Sequence, residues 1–125
     1  MSLRARIVAC AALVAAGCAT PAGPYRLDEP RSGAGVALPA YAMREECFRL
    51  HPDERVDYYF TSTAPVAFNL HYHDAQAVVM PIERKGARAD SGEFVADREQ
   101  IYCLMWEAGA AGALLDYRIR PLPKR

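Results

Sequence analysis

Apolar and polar residues alternate with period two along most of this chain, and that alternation constrains its fold more than any other feature. In residues 66–73, Val66, Phe68, Leu70 and Tyr72 alternate with Ala67, Asn69, His71 and His73. Successive side chains of a strand point to opposite faces, so such a run reads as a strand with one face buried. Residues 55–61 repeat the pattern with Val56, Tyr58 and Phe60. In residues 114–120, Leu115, Tyr117 and Ile119 oppose Asp116, Arg118 and Arg120. No segment after the first eighteen residues carries a helical repeat.

The same reading predicts further strands over residues 41–50, 77–83, 93–96 and 100–106. Turn residues separate them: His51-Pro52-Asp53-Glu54, Ala64-Pro65, Asp74-Ala75-Gln76, a polar loop over 84–92, and a small-residue turn over 107–112. About 7–8 short strands at this spacing predict a small antiparallel β-sandwich, an all-β fold, occupying residues 41–125. Residues 100–106 are apolar on both faces. That strand is either central and covered, or it presents apolar surface to a partner.

The N-terminus reads as a processing segment. Arg4 and Arg6 precede ten residues, Ile7 to Ala16, that are apolar, and Gly17-Cys18 follows. The apolar run falls short of the ~20 residues that a transmembrane helix needs, so residues 1–17 read as a signal peptide. Val14-Ala15-Ala16-Gly17-Cys18 resembles a bacterial lipobox, although Ala15 stands where Leu is usual. The resemblance implies cleavage before Cys18 and a lipidated Cys18; an ordinary cleaved leader with a soluble product is the alternative. Ala19 rather than Asp after the cysteine favours the outer membrane, facing the periplasm. Residues 18–40, with Pro21, Pro24, Pro30, Pro39 and three glycines, are predicted to form a flexible tether.

Cys10 leaves with the leader and Cys18 takes the lipid, so Cys47 and Cys103 remain of the 4 cysteines. An even number in an oxidising compartment points to a structural disulfide; two buried, unpaired thiols are the alternative. The order of features from residue 43 to 120 is also familiar. Glu46-Cys47-Phe48, Val56-Asp57-Tyr58-Tyr59-Phe60 and Ala64-Pro65-Val66-Ala67-Phe68 are followed by Gly92-Glu93-Phe94-Val95 and Gln100-Ile101-Tyr102-Cys103-Leu104-Met105-Trp106. This resembles the GOLD (Golgi dynamics) domain of eukaryotic secretory cargo receptors. The resemblance implies a compact β-sandwich in which Cys47 and Cys103 occupy the two bridge positions, and a non-enzymatic binding module. The family's coiled coil, transmembrane helix and sorting tail have no counterpart in these residues, so cargo traffic is not implied.

Charge and motifs narrow the function further. Basic and acidic residues number 15 each, and loss of Arg4 and Arg6 leaves 13 against 15. No basic field exists to hold nucleic acid. Ser32, Ser62 and Ser91 lie in no nucleophile elbow, Glu45 and Glu46 are adjacent and so face opposite sides of a strand, and there is no phosphate-cradling glycine loop or H-E-x-x-H. These features predict no catalysis and no obligatory cofactor. His71 and His73 share one strand face, which can bring two imidazoles to one Zn or Cu ion. His51, Glu83 and Asp74 are the available further donors, with Asp74 on the wrong parity. The leading expectation is a membrane-anchored binding or structural module of the cell envelope, held by its lipid and meeting another envelope protein. A periplasmic metal-binding protein using His71, His73 and His51 is the alternative.

Overall fold

The structure is a computed structural model describing residue 23 and residues 25–125. The predicted signal peptide, Cys18 and the first residues of the predicted tether lie outside the described residues. Among those described there are six strands and no helix: β1 (Arg31–Leu38), β2 (Met43–Leu50), β3 (Arg55–His73), β4 (Val78–Val95), β5 (Gln100–Ala108) and β6 (Ala113–Leu122). All pairings are antiparallel, in the order β1-β6-β3-β5-β2, with β4 on the other edge of β3.

The long β3–β4 ribbon makes two layers from this one hydrogen-bonded sheet. Residues 55–62 of β3 pair with β6, whereas residues 66–72 pair with β5. Phe60 and Phe68 lie eight residues apart, about 26 Å along a straight strand. Their ring centroids are nevertheless 4.7 Å apart, so the ribbon folds back over itself between them. The corner lies where the register slips, between Thr61 and Val66, and Pro65, which has no N–H to give, sits inside it. The Thr63 hydroxyl accepts a hydrogen bond from the Leu114 amide at 2.8 Å and ties the corner to β6.

The apolar faces meet between the layers. Val56, Tyr58 and Phe60 from one half of β3 face Val66, Phe68, Leu70 and Tyr72 from the other, with Tyr102, Leu104 and Trp106 of β5 and Leu115, Tyr117 and Ile119 of β6. Trp106 is fully buried against Phe68 (5.7 Å), Phe60 (6.0 Å) and Tyr117 (4.8 Å). A polar lock closes the sandwich edge. The Tyr117 hydroxyl donates to Glu46 Oε1 at 2.6 Å, and Arg44 donates to both that hydroxyl and the same carboxylate. Arg31 reaches Glu46 at 3.5 Å, which joins β1, β2 and β6 in one network.

The all-β expectation holds, with six strands instead of 7–8. The predicted strands on either side of Ala64-Pro65 are one bent strand, β3. The polar stretch over 84–92, expected as a loop, continues β4. An edge strand that is mostly exposed has no apolar periodicity to reveal it. The predicted tether also ends early, because residues 31–38 form β1 on β6. Glycine makes this possible: a Cβ on Gly33 would lie 2.5 Å from the Tyr117 ring, so the absence of a side chain at that position admits the strand.

Candidate functional site

The most chemically varied surface is the outer face of the layer made by β2, β5 and the second half of β3. Tyr102, Leu104 and Trp106 turn inward, which sends Ile101, Cys103 and Met105 outward. Cys103 is directly opposite Cys47 on one side and His71 on the other. Cys47 and Cys103 are joined as a disulfide, as the sequence led us to expect, and the bridge links adjacent strands of one layer. Two positions before Cys47 on the same strand face is Glu45; two before His71 is Asn69.

His71 is the centre of this group. It is 5% exposed, although the alternation puts it on the face opposite the apolar one, a solvated or ligand-facing surface. Asn69 Oδ1 lies 2.7 Å from its Nδ1, and Glu45 Oε1 lies 3.3 Å from its Nε2. Burial pushes the His71 imidazole below its usual pKa; Glu45 opposes this and His73 adds to it. One donor atom each from Glu45, His71 and Cys103 lie within 4.8 Å of one another. Cys47, Cys103 and Glu45 line an open cleft of about 560 Å³ together with Tyr25, Ile101 and His73.

The structure brings together two of the three candidate histidines. The His71 and His73 rings are 5.3 Å apart, edge to face. His51 stands in the β2–β3 turn with its Nδ1 3.4 Å from Glu99, and it belongs to no close donor group among the described residues. Asp74 is committed to its turn, accepting from the Gln76 and Ala77 amides at 2.8 and 2.7 Å. Glu83 is the register partner of Asn69 on β4. Sequence reasoning overlooked Glu45 and Asn69 as partners of His71. Parity alone puts Glu45 on the face of Cys47, but which strand lies beside β2 is a matter of topology.

The two ends of the sandwich differ in character. At one, the β1–β2 turn, the β5–β6 turn and the Thr63-Ala64 corner converge around a shallow hollow lined by Pro39, Ala40, Ala64, Ala110 and Ala111. Residues 36–43, 62–67 and 108–115 carry no charge. Tyr41, Met43 and Leu114 are exposed there, at 68%, 62% and 51%. The Tyr41 amide donates to the Gly109 carbonyl at 3.2 Å and holds two of these turns together. The other end is charged and internally paired, with Arg26–Asp28, Arg49–Glu99 and Lys124–Glu54 contacts. The chain enters at this charged end, where the Arg49 amide donates to the Tyr25 carbonyl at 2.7 Å.

Comparison with known proteins establishes the fold. No family model matches the chain, and no curated protein matches its sequence. Among solved structures it is similar to the pre-peptidase C-terminal domain of a collagenase from Bacillus anthracis. The match has a TM-score of 0.52 at 14% identity and covers 77% of this chain and 90% of that one. The likeness defines a β-rich domain with a sandwich-like fold resembling that of a pre-peptidase C-terminal domain. At that identity the likeness concerns the fold alone.

Proposed function

We propose that this protein is a non-enzymatic binding module of the bacterial cell envelope. In this reading it is tethered through a lipidated Cys18 and meets a protein partner with its uncharged loop end. The observation that carries the proposal is the polarity of the sandwich along its long axis. β2 runs about 24 Å from Met43 to Leu50. The chain arrives from the N-terminus beside Arg49, so a tether attached there directs the Tyr41–Met43–Leu114 end away from the lipid. Three turns free of charge, with exposed Tyr41 in one of them and exposed Met43 and Leu114 on the strands that leave two of them, form the kind of apolar end that marks interaction surfaces. The GOLD-type resemblance supports a binding role through its cysteine positions, and the outer-membrane assignment follows from Ala19.

Site-specific photo-cross-linking in cells tests this. A photoreactive residue at Tyr41 or Leu114 is expected to trap a discrete adduct, whereas one at Glu54 or Lys124 traps none. Adducts of equal yield from both ends, or from neither, would rule out the loop end as the partner face.

A further inference from the structure

We propose that the Cys47–Cys103 bridge is the closed, oxidised form of a metal site, and that its reduction frees two thiolates to join His71 and Glu45 around one zinc-class ion. The four residues sit on one outward face, on three neighbouring strands. Cys103 stands between Cys47 and His71 in register, and Glu45 is on the Cys47 side. Donor atoms of Glu45, His71 and Cys103 lie within 4.8 Å of one another, and Cys47, bonded to Cys103, joins the group only when the bridge opens.

The histidine is prepared as a ligand. With the Asn69 amide oxygen turned to it at 2.7 Å, Nδ1 carries the proton. Nε2 then faces the Glu45 carboxylate, 3.3 Å away. A proton bridges the two when the imidazole is charged, and in the neutral ring a metal ion takes that place. Metal-bound histidines commonly donate their other ring N–H to an oxygen in this way, which orients the ring.

The strands hold the thiols in place once the bridge opens. β2 and β5 share an unbroken register from Met43↔Glu107 to Leu50↔Gln100, so the bridge staples a pair that the ladder already aligns. At about 2.3 Å from zinc and tetrahedral angles, two sulfurs lie about 3.8 Å apart. Rotation about the two Cα–Cβ bonds provides that separation without moving the backbone. Both cysteines line the open cleft, which gives a reductant access.

The step balances with a dithiol as reductant. The dithiol gives two electrons and two protons to the bridge and becomes a disulfide itself, while Cys47 and Cys103 become thiols. The metal ion then displaces both thiol protons to solvent. Two thiolates, an imidazole and a carboxylate suit zinc, and cobalt(II) is its coloured substitute.

Cobalt(II) titration of the mature chain tests the proposal, run on the oxidised protein and on protein reduced and then freed of reductant without air. The reduced protein is expected to bind one cobalt with thiolate charge-transfer absorption and the visible bands of tetrahedral coordination, and to lose both on zinc addition. The oxidised protein shows neither band. Glu45→Gln, at an exposed position, and His71→Gln should each weaken cobalt binding by at least about tenfold, the loss that even supporting partners of a ligand cause. Absence of the bands after reduction, affinity unchanged in both variants, or loss of the β circular-dichroism signal on reduction before metal is added would each overturn it.

Discussion

Glu46 and Tyr117 show how much one polar contact can do at the rim of a thin core. Burial alone would raise the Glu46 pKa, but hydrogen bonds from Tyr117 and Arg44, with the charge of Arg31, more than offset it and hold the carboxyl below its usual range. Tyr117 is shifted up, first by burial and then by its hydrogen bond to that carboxylate. A tyrosine whose folded pKa is raised keeps its proton in the native state after the unfolded chain has begun to lose it. Its contribution is therefore complete below the ordinary value of 10.0 and declines as pH rises above it. Tyr117→Phe is expected to cost about 1.5–3 kcal/mol at neutral pH, since the lost hydrogen bond has a charged acceptor. Urea unfolding of both proteins across the alkaline range should show that gap narrowing above pH 10.0. A gap that stays constant would mean that the hydroxyl is not part of the lock. Sequence parity correctly set Glu45 and Glu46 on opposite faces. That Glu46 meets Tyr117, 71 residues later, depends on the layers closing.

At the scale of elements, the disulfide and β4 have different lessons. The bridge spans 56 positions of sequence yet joins neighbouring residues of one ladder. In the chain-entropy account a loop of that length contributes ~4 kcal/mol by restricting the unfolded chain. The native contacts around it need no bridge, so Cys47→Ala/Cys103→Ala should lose about 2–4 kcal/mol and keep its fold. The midpoint of chemical unfolding measures the loss, and a retained near-ultraviolet signal from buried Trp106 reports the fold. A variant without that signal would show that the ladder alone does not align β2 and β5. The existence of the bridge was legible in the residue count and the expected compartment. Its partner strand was not, because pairing across 56 residues is decided by register. β4 was legible only at its ends. Its middle, Arg84-Lys85-Gly86-Ala87-Arg88-Ala89-Asp90, is polar because it is mostly exposed, with only Ala87 packed against the core, and its hydrogen bonds to β3 leave no trace in hydropathy.

For the whole molecule, the proposed function runs along the long axis, charged at the end where Tyr25 meets Arg49 and uncharged at the other. The proposed anchor is tested by labelled palmitate, which cells should incorporate into the wild-type protein and not into Cys18→Ala. Equal labelling of the two would remove the lipid from this account, and release of the wild-type protein in soluble form would remove the tether. The sequence by itself determined the all-β class, the inward faces of β3 and β6, and the two cysteines left to pair, because period-two alternation and residue counting are local properties. Only the tertiary structure decided that Pro65 bends a strand rather than ending it, and that Gly33 admits β1 beside Tyr117. It alone placed His71 beside a disulfide and within reach of a carboxylate. Each of those depends on which strands become neighbours, and that follows from closing two layers on a shared core rather than from any one segment's residues.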